Sequence, residues 1–303
     1  MKVADSSWLW AVFTIVAAAA QTVRNAAQRE LTGKLGTVGA TLVRFLFGFP
    51  FAAVFLLAML ATGGALPRLP LSFWPWLFDG ALTQVAATAL MLAAMEERSF
   101  VVAIAYIKTE PVQVALFGLL FLGDAVTPMM AAAITIATAG VIVMSTKAST
   151  LRGASGGGCR PTVLGLSAGA CFALSAIGFR GAILSLHDPS YAMAATFTVA
   201  AGLMVQSMLL TLYLALRDRA VLAALFAAWR PSVFAGFMGA LASQFWFLAF
   251  ALATAANVRT LALVEVLFAQ AISHFVFRQP VSAREGVGIT VIVTGVVLLI
   301  WAY

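Results

Sequence analysis

Charge is scarce in this sequence: 10% of its 303 residues are Asp, Glu, Lys or Arg, against 63% hydrophobic ones and a mean hydropathy of +1.02. A water-soluble globule carries about 25% charged and about 45–50% apolar residues, so a soluble domain is excluded. Cysteine is nearly absent, with Cys159 in a linker-like stretch and Cys171 in an apolar run. Two such residues build neither a disulfide framework nor a metal-ligand spacing. There are likewise only two histidines, and no nucleotide-binding loop occurs. No cofactor, metal or ATP drive is expected.

Long apolar runs fill the sequence instead. A run of about 20 apolar residues is long enough to cross a bilayer as a helix. We expect spans at 8–28, 37–61, 73–95, 100–122, 128–146, 162–186, 191–216, 231–253, 257–277 and 286–303. Ten helices of about 21 residues use about 210, which leaves short loops and no soluble catalytic domain. The first run, behind Lys2, resembles a signal peptide, but it continues through Gln21, Arg24 and Asn25 and has a partner in the repeat below.

Residues 148–161, rich in Gly and Ser, read as a flexible linker at the midpoint of the chain. A shift of 155 residues then aligns Glu110 with Glu265, Val126 with Val281, Ile134 with Ile289, Thr135 with Thr290, Gly140 with Gly295 and Val141 with Val296. The expected architecture is an all-α polytopic membrane protein of ten transmembrane helices, made of two inverted five-helix repeats, 1–147 and 162–303, joined by 148–161. An odd number of spans per repeat makes the second copy enter the membrane from the opposite side. Inverted repeats are the architecture of many secondary transporters, which work by alternating access.

Tyr106-Ile107-Lys108-Thr109-Glu110-Pro111-Val112 through Gly123-Asp124, and Leu263-Val264-Glu265-Val266 through Arg284-Glu285-Gly286, resemble the two EamA-type halves of the drug/metabolite transporter superfamily. Leu42-Val43-Arg44-Phe45 is similar to that family's second helix. Val266 stands where the family pattern often has Pro, and Asp124 where Glu is commoner. The resemblance spans essentially the whole chain. It implies a ten-helix carrier of the cell membrane, the inner membrane in a bacterium, that exports amino acids or related metabolites.

A charge at membrane depth costs roughly 2.5–3.5 kcal/mol on insertion scales, so each one needs a partner or a cavity. Glu110 and Glu265 lie midway along matching spans. Either they couple transport to protons or they form structural ion pairs. Gln21, Arg24, Asn25 and Gln28 recur at helical spacing, as the wall of a vestibule or the amphipathic end of a helix. Lys108, Arg24, Arg44 and Arg180, with Arg259 as a further candidate, are the cationic counterparts of the two carboxylates, and Arg44 and Arg180 lie within snorkelling distance of helix ends. Tyr106, Glu110 and Gln113, at i−4, i and i+3, form one contiguous polar strip on the fourth helix, and Lys108 is close enough to Glu110 to be neutralised by it. Gln84 and Gln244 occupy similar depths in the third and eighth spans, Trp246 is beside the second, and His274 reads as a packing residue near a helix end.

The candidate substrate-binding set is Gln21, Arg24, Gln84, Tyr106, Lys108, Gln113, Gln244 and Trp246, with Glu110 and Glu265 as proton-coupling or ion-pair residues. Arg24, Arg44, Lys108 and Arg180 outnumber those two carboxylates, which favours a small zwitterionic or anionic solute, amino-acid-like. The alternative is a proton-coupled exporter of lipophilic cations, in which the two Glu dominate.

Expected partners are that solute and the lipid bilayer, with protons and a second copy of the chain as further candidates. The formal charge of +7 is scattered between apolar runs, so orientation in a membrane, not nucleic acid, accounts for it. Arg29, Lys34, Arg98, Lys147, Arg152, Arg160, Arg217, Arg219, Arg230, Arg278 and Arg284 fall in odd-numbered loops, against Lys2 and Arg68 on the other side. That bias puts the termini outside, whereas the resemblance implies termini inside. An enzyme is not expected. Gly165-Leu166-Ser167-Ala168-Gly169 fits a hydrolase pattern, but a nucleophile elbow needs a strand and a sharp turn, not the middle of an apolar span. Small residues at Ala131, Thr135 and Ala139, and at Gly286, Thr290 and Thr294, are expected to be the contact faces of the fifth and tenth spans.

Overall fold

The computed structural model describes residues 8–96, 106–145, 160–187, 190–275, 278 and 282–303. Every regular element among them is helical. In chain order the α-helices are α1 (Leu9–Leu46), α2 (Phe49–Ala61), α3 (Phe73–Glu96), α4 (Glu110–Phe117), α5 (Pro128–Ser145), α6 (Arg160–Ser185), α7 (Tyr191–Arg217), α8 (Arg219–Ala227), α9 (Trp229–Leu252), α10 (Ala255–Leu261), α11 (Glu265–Phe275) and α12 (Ala283–Ala302), with a π-helical turn over Gly118–Leu122 and a 3₁₀ turn over Ala262–Val264. Among the described residues, five helical segments are long and apolar enough to cross a membrane: Glu30–Ala61, Val163–Ser185, Tyr191–Arg217, Trp229–Leu252 and Ala283–Ala302. Of the expected linker, only Arg160 and Pro161 are described, at the start of α6, and Cys159 lies outside the described residues.

Two compact units divide the chain, Met1–Val85 with Gly178–Ala253 and Ala86–Ile177 with Thr254–Tyr303. Each unit takes segments from both halves of the sequence, and α3 and α6 contribute to both. In the first unit α1 packs along α9, with α7 against both and against α2. In the second, α5 packs along α12 and α10 lies on α4.

The connection between the first two expected spans differs from a coil. Helical hydrogen bonding carries α1 through the region, with one break at Gly36 (φ 67°, ψ 175°). That left-handed φ favours glycine. Gln28 spans the kink, its Nε2 donating to the Ala40 carbonyl at 2.8 Å. The expected second span is itself divided, at Phe47-Gly48, ahead of Pro50 in the first turn of α2.

The contact face between α5 and α12 is also not the expected one. Ala131, Thr135, Ala139, Thr290 and Thr294 are exposed. Each threonine hydroxyl donates to the carbonyl four residues earlier, at 2.8, 3.0 and 2.9 Å, so these side chains need no partner helix. The contact runs instead through Ala137, Gly140, Gly288, Ile292 and Gly295. A Cβ on Gly140 would stand 2.7 Å from the Ile292 nitrogen, and one on Gly295 would stand 2.5 Å from the Ala137 nitrogen. Under the 155-residue shift, 137 corresponds to 292 and 140 to 295, so the two close approaches exchange with each other.

Candidate functional site

Both spans that carry a glutamate are broken immediately before it. Lys108 and Thr109 form a turn, and α4 begins at Glu110 with Pro111 in its first turn. Proline lacks the N–H a continuing helix would use and disfavours helical geometry in the residue before it. The matching span has Val266 in that place, and its break is milder: α10, a 3₁₀ turn over Ala262–Val264, then α11 from Glu265. Each carboxylate therefore begins a helix segment, at the end whose dipole favours negative charge.

The charges then pair across the two halves of the sequence. Arg259, on α10, grips Glu110 with both edges of its fork, Nε to Oε1 at 2.6 Å and Nη2 to Oε2 at 2.7 Å. Lys108 Nζ bonds Glu265 Oε1. Lys108 thus donates to Glu265, although Glu110 is nearer in sequence. The break also removes the continuous strip expected for Tyr106, Glu110 and Gln113. Gln113 Nε2 instead donates to Thr109 Oγ1 at 3.1 Å, and Thr109 Oγ1 to the Tyr106 carbonyl at 2.6 Å. Arg259 is among the expected cationic counterparts of the two carboxylates but not in the expected substrate-binding set. Two carboxylates at one depth call for two cations, and that parity is the signal for it.

The remaining expected residues lie in the first unit. Trp246 Nε1 donates to Gln21 Oε1 at 3.1 Å, joining α9 to α1. Gln244 Nε2 donates to Thr196 Oγ1 at 2.7 Å, and Gln206 Nε2 donates to Gln84 Oε1 at 2.8 Å, both joining to α7. Gln206, like Gln84, Gln113 and Gln244, stands out in the sequence as an uncharged polar group inside an apolar span, whereas Thr196 supplies a partner that neither spacing nor depth singled out. Arg24 and Arg44 are buried at 4% and 5% exposure, which places neither at a headgroup. Their stems meet at one glycine: a Cβ on Gly239 of α9 would stand 3.3 Å from Arg44 Cγ and 3.4 Å from Arg24 Cδ. Arg24 Nη2 also donates to Asn25 Oδ1 at 2.7 Å. Arg180 is buried too, and its Nη1 donates to the Phe250 and Ala253 carbonyls at 2.7 Å, closing the C-terminal end of α9. Positive charge is favoured at that end of a helix, so Arg180 serves α9. A cavity of about 470 Å³, bordered by Leu66, Pro67, Arg68, Leu69, Pro70, Ser185, Leu186 and His187, contains none of the expected site residues. The side chain of His274 lies outside the described residues.

Residues 8–146, which hold the broken fourth span and its glutamate, match the EamA-like transporter family. This stretch is an EamA-like transporter domain. Members of that family are membrane transporters, not enzymes, and several described helices of this chain are apolar and long enough for a multi-pass membrane protein. Gly165, Ser167 and Gly169 accordingly lie inside α6 with no strand or elbow around them. A solved structure titled "Crystal structure of protein" is similar over 97% of this chain and 96% of its own, at 18% identity and a TM-score of 0.71. That likeness shows a shared fold over nearly the whole chain. No curated protein matches it.

Proposed function

We propose that this EamA-like protein is a secondary carrier that exports a small zwitterionic or anionic, amino-acid-like solute by alternating access between two inverted five-helix repeats. The observation that carries the substrate class is the burial of Arg24 and Arg44 with their stems against Gly239, Arg24 being one turn from Gln21, which bonds Trp246. A guanidinium fork matches carboxylate geometry, and a buried one binds it more tightly than an exposed one. In this reading Arg24 takes the acidic group, Gln21 and Trp246 border the rest of the solute, and Gly239 leaves room for both arginine stems. Lys108, bonded to Glu265, belongs to the ion-pair network. Gln84, Gln113 and Gln244 act mainly as interhelical or intrahelical hydrogen-bonding groups.

The exchanged contacts of Gly140 and Gly295 support a repeat with internal two-fold character. Broken helices in corresponding positions of two halves are typical of carriers built from inverted repeats. The crossed ion pairs weigh against the alternative of a lipophilic-cation exporter, because Glu110 and Glu265 already hold cations of their own.

Flux into proteoliposomes tests the proposal. Wild-type protein is expected to move an amino-acid-like solute saturably above empty liposomes. Arg24→Ala is expected to lower that flux roughly 10- to 100-fold, the equivalent of about 1.5–3 kcal/mol for a charge-assisted hydrogen bond. If Arg24→Ala leaves the flux intact while Glu110→Gln abolishes efflux of a cationic dye, the cation-exporter reading replaces it.

A further inference from the structure

The segment between α7 and α9 reads from sequence as a bare basic loop, yet it contains α8. Nine residues of helix span about 13 Å, too short to cross a hydrocarbon core of about 30 Å. One side of α8 is docked on α1. Leu225 is fully buried, Val221 lies against Gly39, and the Phe226 ring is 6.1 Å from that of Phe47. The rest of the surroundings face outward: Leu216, Arg217, Arg219, Phe226, Trp229 and Arg230 are all exposed.

The charges here are not balanced locally. Asp218, the one carboxylate of the segment, caps α8 by accepting from the Ala220 and Val221 amides at 3.2 and 3.3 Å. Arg217 and Arg219 adjoin the C-terminal end of α7, where cations are favoured, and Arg219 Nε donates to the Ala215 carbonyl at 2.9 Å. Arg230 has no such support. It sits in the first turn of α9, whose end is already positive, with its guanidinium 5.5 Å from the Trp229 ring centroid.

We propose that α8 and its flanks form a docking ledge for an anionic phospholipid. A phosphodiester headgroup supplies the negative charge that Arg217, Arg219 and Arg230 lack, and its acyl chains cover Leu216, Phe226 and the face of Trp229. Free phosphate or a soluble acidic peptide would meet only the first need. Tryptophan and arginine are the side chains that anchor proteins at the headgroup level, and clustered arginines there attract anionic lipid. The inference is independent of which solute is carried.

Lipid retention tests it. The full chain is purified from mixed micelles holding equal amounts of phosphatidylglycerol and phosphatidylcholine, gel-filtered, and its co-eluting lipid quantified by mass spectrometry. Wild-type protein is expected to retain phosphatidylglycerol at least 5-fold over phosphatidylcholine. The triple variant Arg217→Gln/Arg219→Gln/Arg230→Gln falls towards equal retention, and Trp229→Ala, which leaves every charge in place, falls part of the way. Arg68→Gln, a cation elsewhere in the chain, keeps the wild-type ratio. Equal retention by the wild type, or unchanged enrichment in a monodisperse triple variant, overturns the proposal. So does loss of the enrichment in millimolar inorganic phosphate at constant ionic strength, which would make the ledge a site for free anions. Should the triple variant aggregate, Arg230→Gln and Trp229→Ala decide alone: both must lower the ratio.

Discussion

Glu110 illustrates how strongly a single residue in this protein depends on a distant one. Its bidentate partner, Arg259, lies 149 positions along the chain, and both side chains are largely buried. Removing one member of a buried pair leaves an uncompensated charge, which typically costs about 3–5 kcal/mol. Arg259→Gln should therefore lower the unfolding midpoint in detergent markedly, and Glu110→Gln by a comparable amount. The exchanged pair Glu110→Arg/Arg259→Glu should recover only part of it, because an arginine would then occupy the start of α4, where the helix dipole favours a carboxylate. Thermal unfolding followed by tryptophan fluorescence measures all three, and full recovery in the exchanged pair would contradict the dipole contribution. Sequence disclosed that Glu110 and Glu265 needed partners, since a membrane-depth charge always does. It could not disclose which partners, because pairing between segments 149 and 157 positions apart leaves no local spacing to read.

At the scale of elements, the shift of 155 residues located Gly140 and Gly295 as equivalent, and the packing of α5 on α12 gives the equivalence its physical content. Both glycines stand where a Cβ would strike the backbone of the opposing helix. Gly140→Val and Gly295→Val should each destabilise the protein by about 1–3 kcal/mol, the usual cost of overpacking, and by similar amounts. Thr135→Val, on the outward face, should stay within about 0.5 kcal/mol. Differential scanning fluorimetry of the purified variants checks the ranking; a larger effect for Thr135→Val would restore the small-residue stripe as a contact. That stripe misled because small residues at a spacing of four occur on both faces of these helices, and an outward threonine can satisfy its own hydroxyl within its helix. The helix breaks were half legible: Pro111 announces one, whereas the 3₁₀ turn before Glu265 has no proline and is set by packing.

Considered as a whole, the molecule was legible as an apolar, all-helical membrane protein, because composition alone leaves no other class. How the chain groups into compact units was not. The units mix both halves of the sequence, and a linear reading finds repeats, not the contacts between them. Orientation is a whole-chain property too. The Lys and Arg excess in odd-numbered loops favours ten spans with both ends outside. A C-terminal alkaline phosphatase fusion should then be active and a C-terminal green fluorescent protein dark, while bright fluorescence without phosphatase activity would reverse the orientation.

The reach of the crossed ion pairs also sets a clock on biosynthesis. A ribosome adds about 5–20 residues each second, so the 149 positions between Glu110 and Arg259 correspond to roughly 7–30 s of elongation. For that interval Lys108 and Glu110 have been synthesised and neither cross-half partner yet exists. The nascent first half must wait with its charges sheltered by water, lipid headgroups or the insertion machinery, and the network closes only on the arrival of a segment made about 150 positions later.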